Sequence, residues 1–143
     1  RRRPRGRVNA NLHAMDDRVH RLLNAVEPGS YIRPHRHLDP PKDETLVVVR
    51  GALGLILFDA EGRVTGTRRL AAGPAGAFGA DIPAGAIHTF VALEEGSVFL
   101  EVKEGPYVSP VAGDLPAWAP AEGDAAAAAY EASLRGLFEP RTP

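Results

Sequence analysis

Five histidines and no cysteine set the terms of any chemistry in this 143-residue chain. Without thiols there is no cysteine nucleophile, thiolate zinc site, iron–sulfur cluster or disulfide framework. A metal would have to be held by His, Asp or Glu. His35 and His37 stand two residues apart in YIRPHRH. On an extended backbone that spacing sends both rings to one side, which suits two imidazoles on one ion. Glu44 opens the next β-rich run and offers an oxygen, with Asp43 as its neighbouring rival. His88 follows the turn Pro83-Ala84-Gly85, which can aim the first residues of the next strand into a cavity. Three imidazoles and one carboxylate suit a divalent transition metal such as Fe, Mn, Zn, Ni, Co or Cu. The same alternation puts Tyr31 and Arg33 on the face of His35 and His37, and Phe90 on that of His88. Arg33 would either orient a carboxylate or phosphate through its bidentate fork or close the rim as a structural ion pair. His20 reads as a core or surface histidine. His13 either folds over the mouth of the site or belongs to a local turn.

The elements that must position these groups are short and β-rich. Strands are predicted at 19–26, 31–37, 45–49, 53–58, 64–70, 78–82, 87–93 and 98–102, from branched and aromatic runs between turn residues. Pro34 keeps the second of these out of any helix, and Pro40-Pro41 makes the following stretch a loop. In the last strand Val98, Leu100 and Val102 are the better inward set. Glu101 would act as general base only if its strand turned the other way. A helix is predicted from an Asp124 N-cap through five alanines to Gly136. Many short strands with one terminal helix describe an all-β sandwich or barrel. The single domain divides into a basic arm (1–16), a barrel (17–110) and a tail carrying the helix (111–143).

Composition excludes much else. Hydrophobic residues are 44% and charged residues 24%, with 15 glycines and 13 prolines, a globular chain rich in turns rather than a helical bundle. No apolar run reaches 18 residues and the N-terminus has no secretory leader pattern, so no membrane partner and a cytoplasmic location are expected. Five of the 17 basic residues lie among residues 1–7, leaving 12 basic against 18 acidic groups over residues 8–143. An Arg-rich arm can bind phosphate backbones. With no interleaved aromatics for base stacking, it reads instead as solvated or resting on its own acidic body, and a nucleic-acid partner is disfavoured. No serine sits in a strand–turn–helix elbow. The adjacent carboxylates Asp16-Asp17 and Glu94-Glu95 face opposite sides of a strand, so they make poor acid/base pairs.

Taken together, Gly29, His35, His37, Glu44 and Gly51 resemble the first conserved motif of the cupin superfamily, and Pro83, Gly85 and His88 resemble the second. The resemblance implies a double-stranded β-helix, the cupin-type jelly-roll barrel, with His35, His37, Glu44 and His88 as ligands of one metal ion. Two departures stand out. The gap between His37 and Glu44 is longer than usual through Pro40-Pro41, and Ala92 stands where the second motif ends in Asn. Over residues 7–123, the strings RVNANLH, VHRLLNAVEPGSYIRPHRH, PAGAIHTFVAL, SVFLEVKEGPY and WAPAEG are similar to the WbuC family of cupin-fold metalloproteins. That resemblance adds Glu101 and Tyr107 to Tyr31 and Arg33 as pocket candidates. It also implies a homodimer, for which the strands around Leu46–Phe58 are candidate surface, and a link to surface-polysaccharide metabolism.

Two functions follow as expectations. One is a metal-dependent enzyme acting on a small polar molecule such as a sugar or sugar-nucleotide. The other is a metal-containing module that binds or senses a small molecule without turnover. A redox-active ion with an acid/base side chain beside an open coordination position favours the first, and a closed four-coordinate zinc the second.

Overall fold

A computed structural model describes residues 5–74 and 76–140, so Arg1, Arg2 and Arg3 of the basic run lie outside the described residues. Eight strands and a helix follow one another: β1 (Arg7–Asn11), β2 (Val19–Val26), β3 (Glu44–Arg50), β4 (Ala52–Phe58), β5 (Val64–Ala71), β6 (Gly79–Ile82), β7 (Ile87–Ala92), β8 (Ser97–Glu104) and α1 (Ala127–Gly136). They form two antiparallel sheets, one in the order β1-β2-β8-β3-β6 and one in the order β5-β4-β7. Packed face to face, these sheets make the jelly-roll barrel.

Alternation along the strands explains the packing. Leu46 and Val48 of β3, Leu53 and Leu55 of β4, Phe90 of β7 and Phe99 of β8 meet in the core between the sheets. Each fully buried side chain of this size contributes about 1.5–3 kcal/mol. The other face of the small sheet is also covered: Ile56 and Phe58 of β4 with Ile87 and Val91 of β7 pack under Leu134 of α1. Trp118 anchors the tail there, against the Phe58 ring and with its Nε1 donating to the Ala60 carbonyl at 3.0 Å. Gly54 makes this contact close, because a Cβ there would overlap the Phe138 ring. Gly51 turns β3 into β4 at φ +73°, where a Cβ would come within 2.5 Å of Ser97 Oγ. Residues on both faces of β4 are covered by their own chain, whereas β3 turns Val47 and Val49 outward.

Four other expectations change. Residues 31–37 form no strand; only an isolated bridge, with His35 and His88 exchanging backbone hydrogen bonds, ties them to β7. Pro34 has no N–H to give a ladder. Strand β1 is an addition: residues 7–11 pair along β2 as the edge of the large sheet. In β8 the buried set is Ser97, Phe99 and Glu101, and Val98, Leu100 and Val102 face outward. Helix α1 starts at Ala127, and Asp124 does not cap it: its carboxylate accepts instead from the Ala121 N–H at 2.7 Å.

Candidate metal centre and cavity

Glu44 begins β3 with its side chain on the inner face, 2% exposed. Its Oε1 lies 3.0 Å from His37 Nε2 and accepts from Lys103 Nζ at 3.1 Å. Its Oε2 lies 2.8 Å from His88 Nε2. Among the described residues neither of these two buried atoms has a hydrogen-bond partner. The other ring nitrogens show why. His88 Nδ1 lies 2.9 Å from the Ala86 carbonyl and His35 Nδ1 lies 3.0 Å from that of Arg33. A carbonyl only accepts, so each Nδ1 carries a proton, and in the neutral tautomer that leaves the Nε2 lone pair facing inward. At Glu44 a lone pair then faces a carboxylate oxygen in a buried place, an arrangement that costs free energy until a cation stands beside both.

The spacing of the donors fits such an ion. One ligand atom each from His35, His37 and Glu44 lies within 4.8 Å of the others. Donors about 2.1 Å from an ion and at right angles to one another stand about 3 Å apart, close to the 2.8 and 3.0 Å between Glu44 and its two histidines. Electrostatics agree. Burial pushes His35 down to about 3, with His88 adding to the effect and Glu44 opposing it. His35 is therefore neutral, the form that ligates a metal. Burial alone would raise Glu44, but the His37 imidazole and the Lys103 charge hold its carboxyl well below the usual range. The carboxylate is ionised and aimed at the histidines.

A cavity of about 680 Å³ opens on this group. His35, Glu44, Glu101 and Lys103 form its polar end, and Ile32, Phe90 and Phe99 an apolar wall. Glu101 receives Asn24 Nδ2 on one oxygen at 2.9 Å and Lys103 Nζ on the other at 2.6 Å. Burial pushes its pKa up, opposed by Lys103 and aided by the Glu44 charge. Hydropathy pointed β8 the other way because its outward residues are more apolar than its inward ones.

The remaining candidates go elsewhere. Tyr31 leaves the cavity, its hydroxyl donating to the Pro120 carbonyl at 2.8 Å, and burial pushes its pKa up to about 12. Arg33 donates to the Pro116 carbonyl at 2.9 Å and fastens the tail. The expected shared face fails because residues 31–37 lack the regular pleat that alternation assumes. Tyr107 is exposed and lines a separate depression of about 150 Å³ that His37 and Lys103 reach from their other side. Asp43 accepts from the Ala84 N–H at 2.7 Å, holding the turn before His88. His13 stacks on His20 at 3.9 Å, away from the cavity. Asn24 and Lys103 are additions; their alternation with the inward positions of β2 and β8 is the signal that finds them.

Comparison with known proteins gives a fold and little more. A domain of unknown function, DUF6016, matches residues 1–70, just under half of the chain. No curated protein matches. Among solved structures the chain is similar to KdgF from Halomonas sp., at 26% identity over 69% of this chain and 78% of that one, with a TM-score of 0.52. A conserved protein of unknown function from Streptococcus pyogenes matches at 18% identity over 74% of this chain and 80% of that one, TM-score 0.55. An oxalate decarboxylase from Bacillus subtilis matches at 21% identity over 76% of this chain but 28% of its own, TM-score 0.58. KdgF and oxalate decarboxylase are cupin-fold proteins, and the present chain has that fold.

Proposed function

We propose that this chain is a metal-dependent cupin of the WbuC type. On this reading it acts in the cytoplasm, as a homodimer, on a small polar molecule such as a sugar or sugar-nucleotide of surface-polysaccharide metabolism. One observation carries the metal: the buried, unpartnered pair of Glu44 Oε2 and His88 Nε2, with His35 and His37 completing the donor set. A divalent transition metal held by His35, His37, Glu44 and His88 would polarise a carbonyl or hydroxyl of the substrate as a Lewis acid.

The chain's own groups do the rest. Ile32, Phe90 and Phe99 exclude water from one side of the substrate. Glu101 faces the same space with both oxygens positioned, and burial raises its pKa, as suits a carboxyl that exchanges a proton with the substrate. Tyr31 and Arg33 hold the tail, and Tyr107 stands outside the cavity. Support for the sugar assignment comes from the WbuC-like strings at 7–123, and support for the dimer from the open apolar face of the large sheet. Light scattering is expected to give the mass of two chains, and the mass of one would remove the dimer.

The decisive test uses metal-loaded protein incubated with UDP-glucose, UDP-glucuronate and dTDP-glucose, followed by proton and phosphorus NMR. Conversion of one of them, lost in Glu101→Gln while the metal stays bound, is the expected result. Saturable binding of one of them with no conversion would make the protein a carrier or sensor instead.

A further inference from the structure

The polar end of the cavity holds one cation that the metal assignment leaves without a task. Lys103 projects from the inner face of β8, and its Nζ sits between two carboxylates, 3.1 Å from Glu44 Oε1 and 2.6 Å from Glu101 Oε1. Its side chain is 23% exposed, and it lines the cavity beside His35 and Phe99. The two arginines at the cavity rim differ from it. Arg7 is engaged by the Tyr31 carbonyl and by Glu122 at 2.5 Å, and Arg5 lies 3.6 Å from the same Glu122.

Charge decides what such a group does. Glu44, Glu101 and Lys103 together carry one net negative charge, and a divalent ion among the histidines reverses it to one net positive. A buried net charge is costly unless a counter-charge arrives with hydrogen bonds. Glu44, once it ligates the metal, is also a weaker partner for the ammonium beside it. Lys103 then has donor capacity facing the open cavity, 3.1 Å from the Glu44 carboxylate oxygen. A neutral ligand leaves that charge uncompensated, whereas a monoanion cancels it. The apolar wall of Ile32, Phe90 and Phe99 sets the rest of the ligand's character, a small organic body rather than an inorganic ion.

We propose that Lys103 is the specificity-determining residue of the cavity, and that its ligand is a small organic monoanion whose carboxylate bridges the metal and the Lys103 ammonium. This rests on the metal-dependent reading above and names the substrate class for it. Sugar acids belong to that class and neutral sugars do not. Glu101 competes with the ligand for the same ammonium, so the two carboxylates of the chain have opposite effects: Glu44 holds the metal, and Glu101 holds Lys103 back until a ligand arrives.

The test uses cobalt(II)-loaded protein with glycolate and ethylene glycol, two small two-carbon probes that differ in charge. Binding is read from the cobalt absorption bands and from the side-chain nitrogen resonance of Lys103. Glycolate is expected to bind at least tenfold more tightly than ethylene glycol and to shift the Lys103 resonance. Lys103→Gln should abolish the preference while cobalt remains bound, and Glu101→Gln should strengthen glycolate binding several-fold. Opposite signs in two neighbouring variants separate recognition from general loosening of the fold. Failure of wild type to take up cobalt would remove the metal reading itself. Cobalt uptake with equal binding of both probes, or a glycolate preference that survives in Lys103→Gln, would overturn this inference and leave the metal reading standing. If Lys103→Gln does not fold, the wild-type comparison and the Lys103 resonance decide alone.

Discussion

At Glu44 two carboxylate oxygens face three polar neighbours, and the protons available do not satisfy them all. His35 and His88 spend their Nδ1 protons on carbonyls two residues earlier, so the chain itself fixes which nitrogen faces inward. Backbone pairing of His35 with His88 brings the two rings to 4.5 Å. A consequence for stability follows from His35. Its native pKa is lowered from 6.5 to about 3 by burial. Between those values the unfolded chain binds a proton that the native chain refuses, so stability falls as pH drops through 6.5 toward 3. Glu101, whose native pKa is raised, contributes with the opposite sign above the ordinary carboxylate range. A comparison with His35→Asn isolates the histidine. For metal-free protein, the urea midpoint is expected to fall more between pH 7.5 and pH 5 in wild type than in the variant. Equal falls would show that His35 titrates normally.

At the scale of elements, β8 shows how far the sequence could be read. The alternation of its residues was legible, and so was the position of Glu101 within it. Which side faced inward was not, because Val98, Leu100 and Val102 are more apolar than Ser97, Phe99 and Glu101, and hydropathy assigns the apolar side to the core. The polar side faces inward because β8 lies between β2 and β3 with Glu101 and Lys103 lining the cavity. The set His35, His37, Glu44 and His88 was legible through its resemblance to the two cupin motifs, whose turn glycines Gly29, Gly51 and Gly85 all take positive φ. Tyr31 and Arg33 could not be placed, since the period-two rule holds only for a paired strand. Helix α1 offers an independent test. It packs on the small sheet through Leu134, and Phe138 lies over Gly54. Gly54→Val is predicted to push Phe138 away and destabilise the fold by about 1–3 kcal/mol. Metal binding should be untouched, since Gly54 faces away from the cavity. A variant of unchanged melting temperature would show that the tail does not depend on this contact.

Across the whole molecule, the two outer sheet faces differ. The small sheet is roofed by its own tail and helix, whereas the large sheet presents Val47, Val49, Val98, Leu100 and Leu23 outward on neighbouring strands, with Val49 56% exposed. That open apolar face, which includes Val47 and Val49 of the stretch Leu46–Phe58, is where a second copy would sit in the proposed dimer. The basic arm is partly accounted for as well: Arg5 and Arg7 reach Glu122 of the tail, so those charges rest on the chain's own acidic body. Among the described residues no helix is long and apolar enough to cross a membrane. The large sheet, the loop at His35 and the arm line one cavity, and the proposed function depends on a metal at its polar end. The most direct test is metal content by plasma mass spectrometry, on tag-free protein kept from nickel resin, beside a His35→Ala/His88→Ala double variant of verified fold. About one equivalent of a divalent transition metal per wild-type chain is expected, and almost none in the variant. Wild-type protein that carries no metal, and takes up none when incubated with divalent ions, would contradict it.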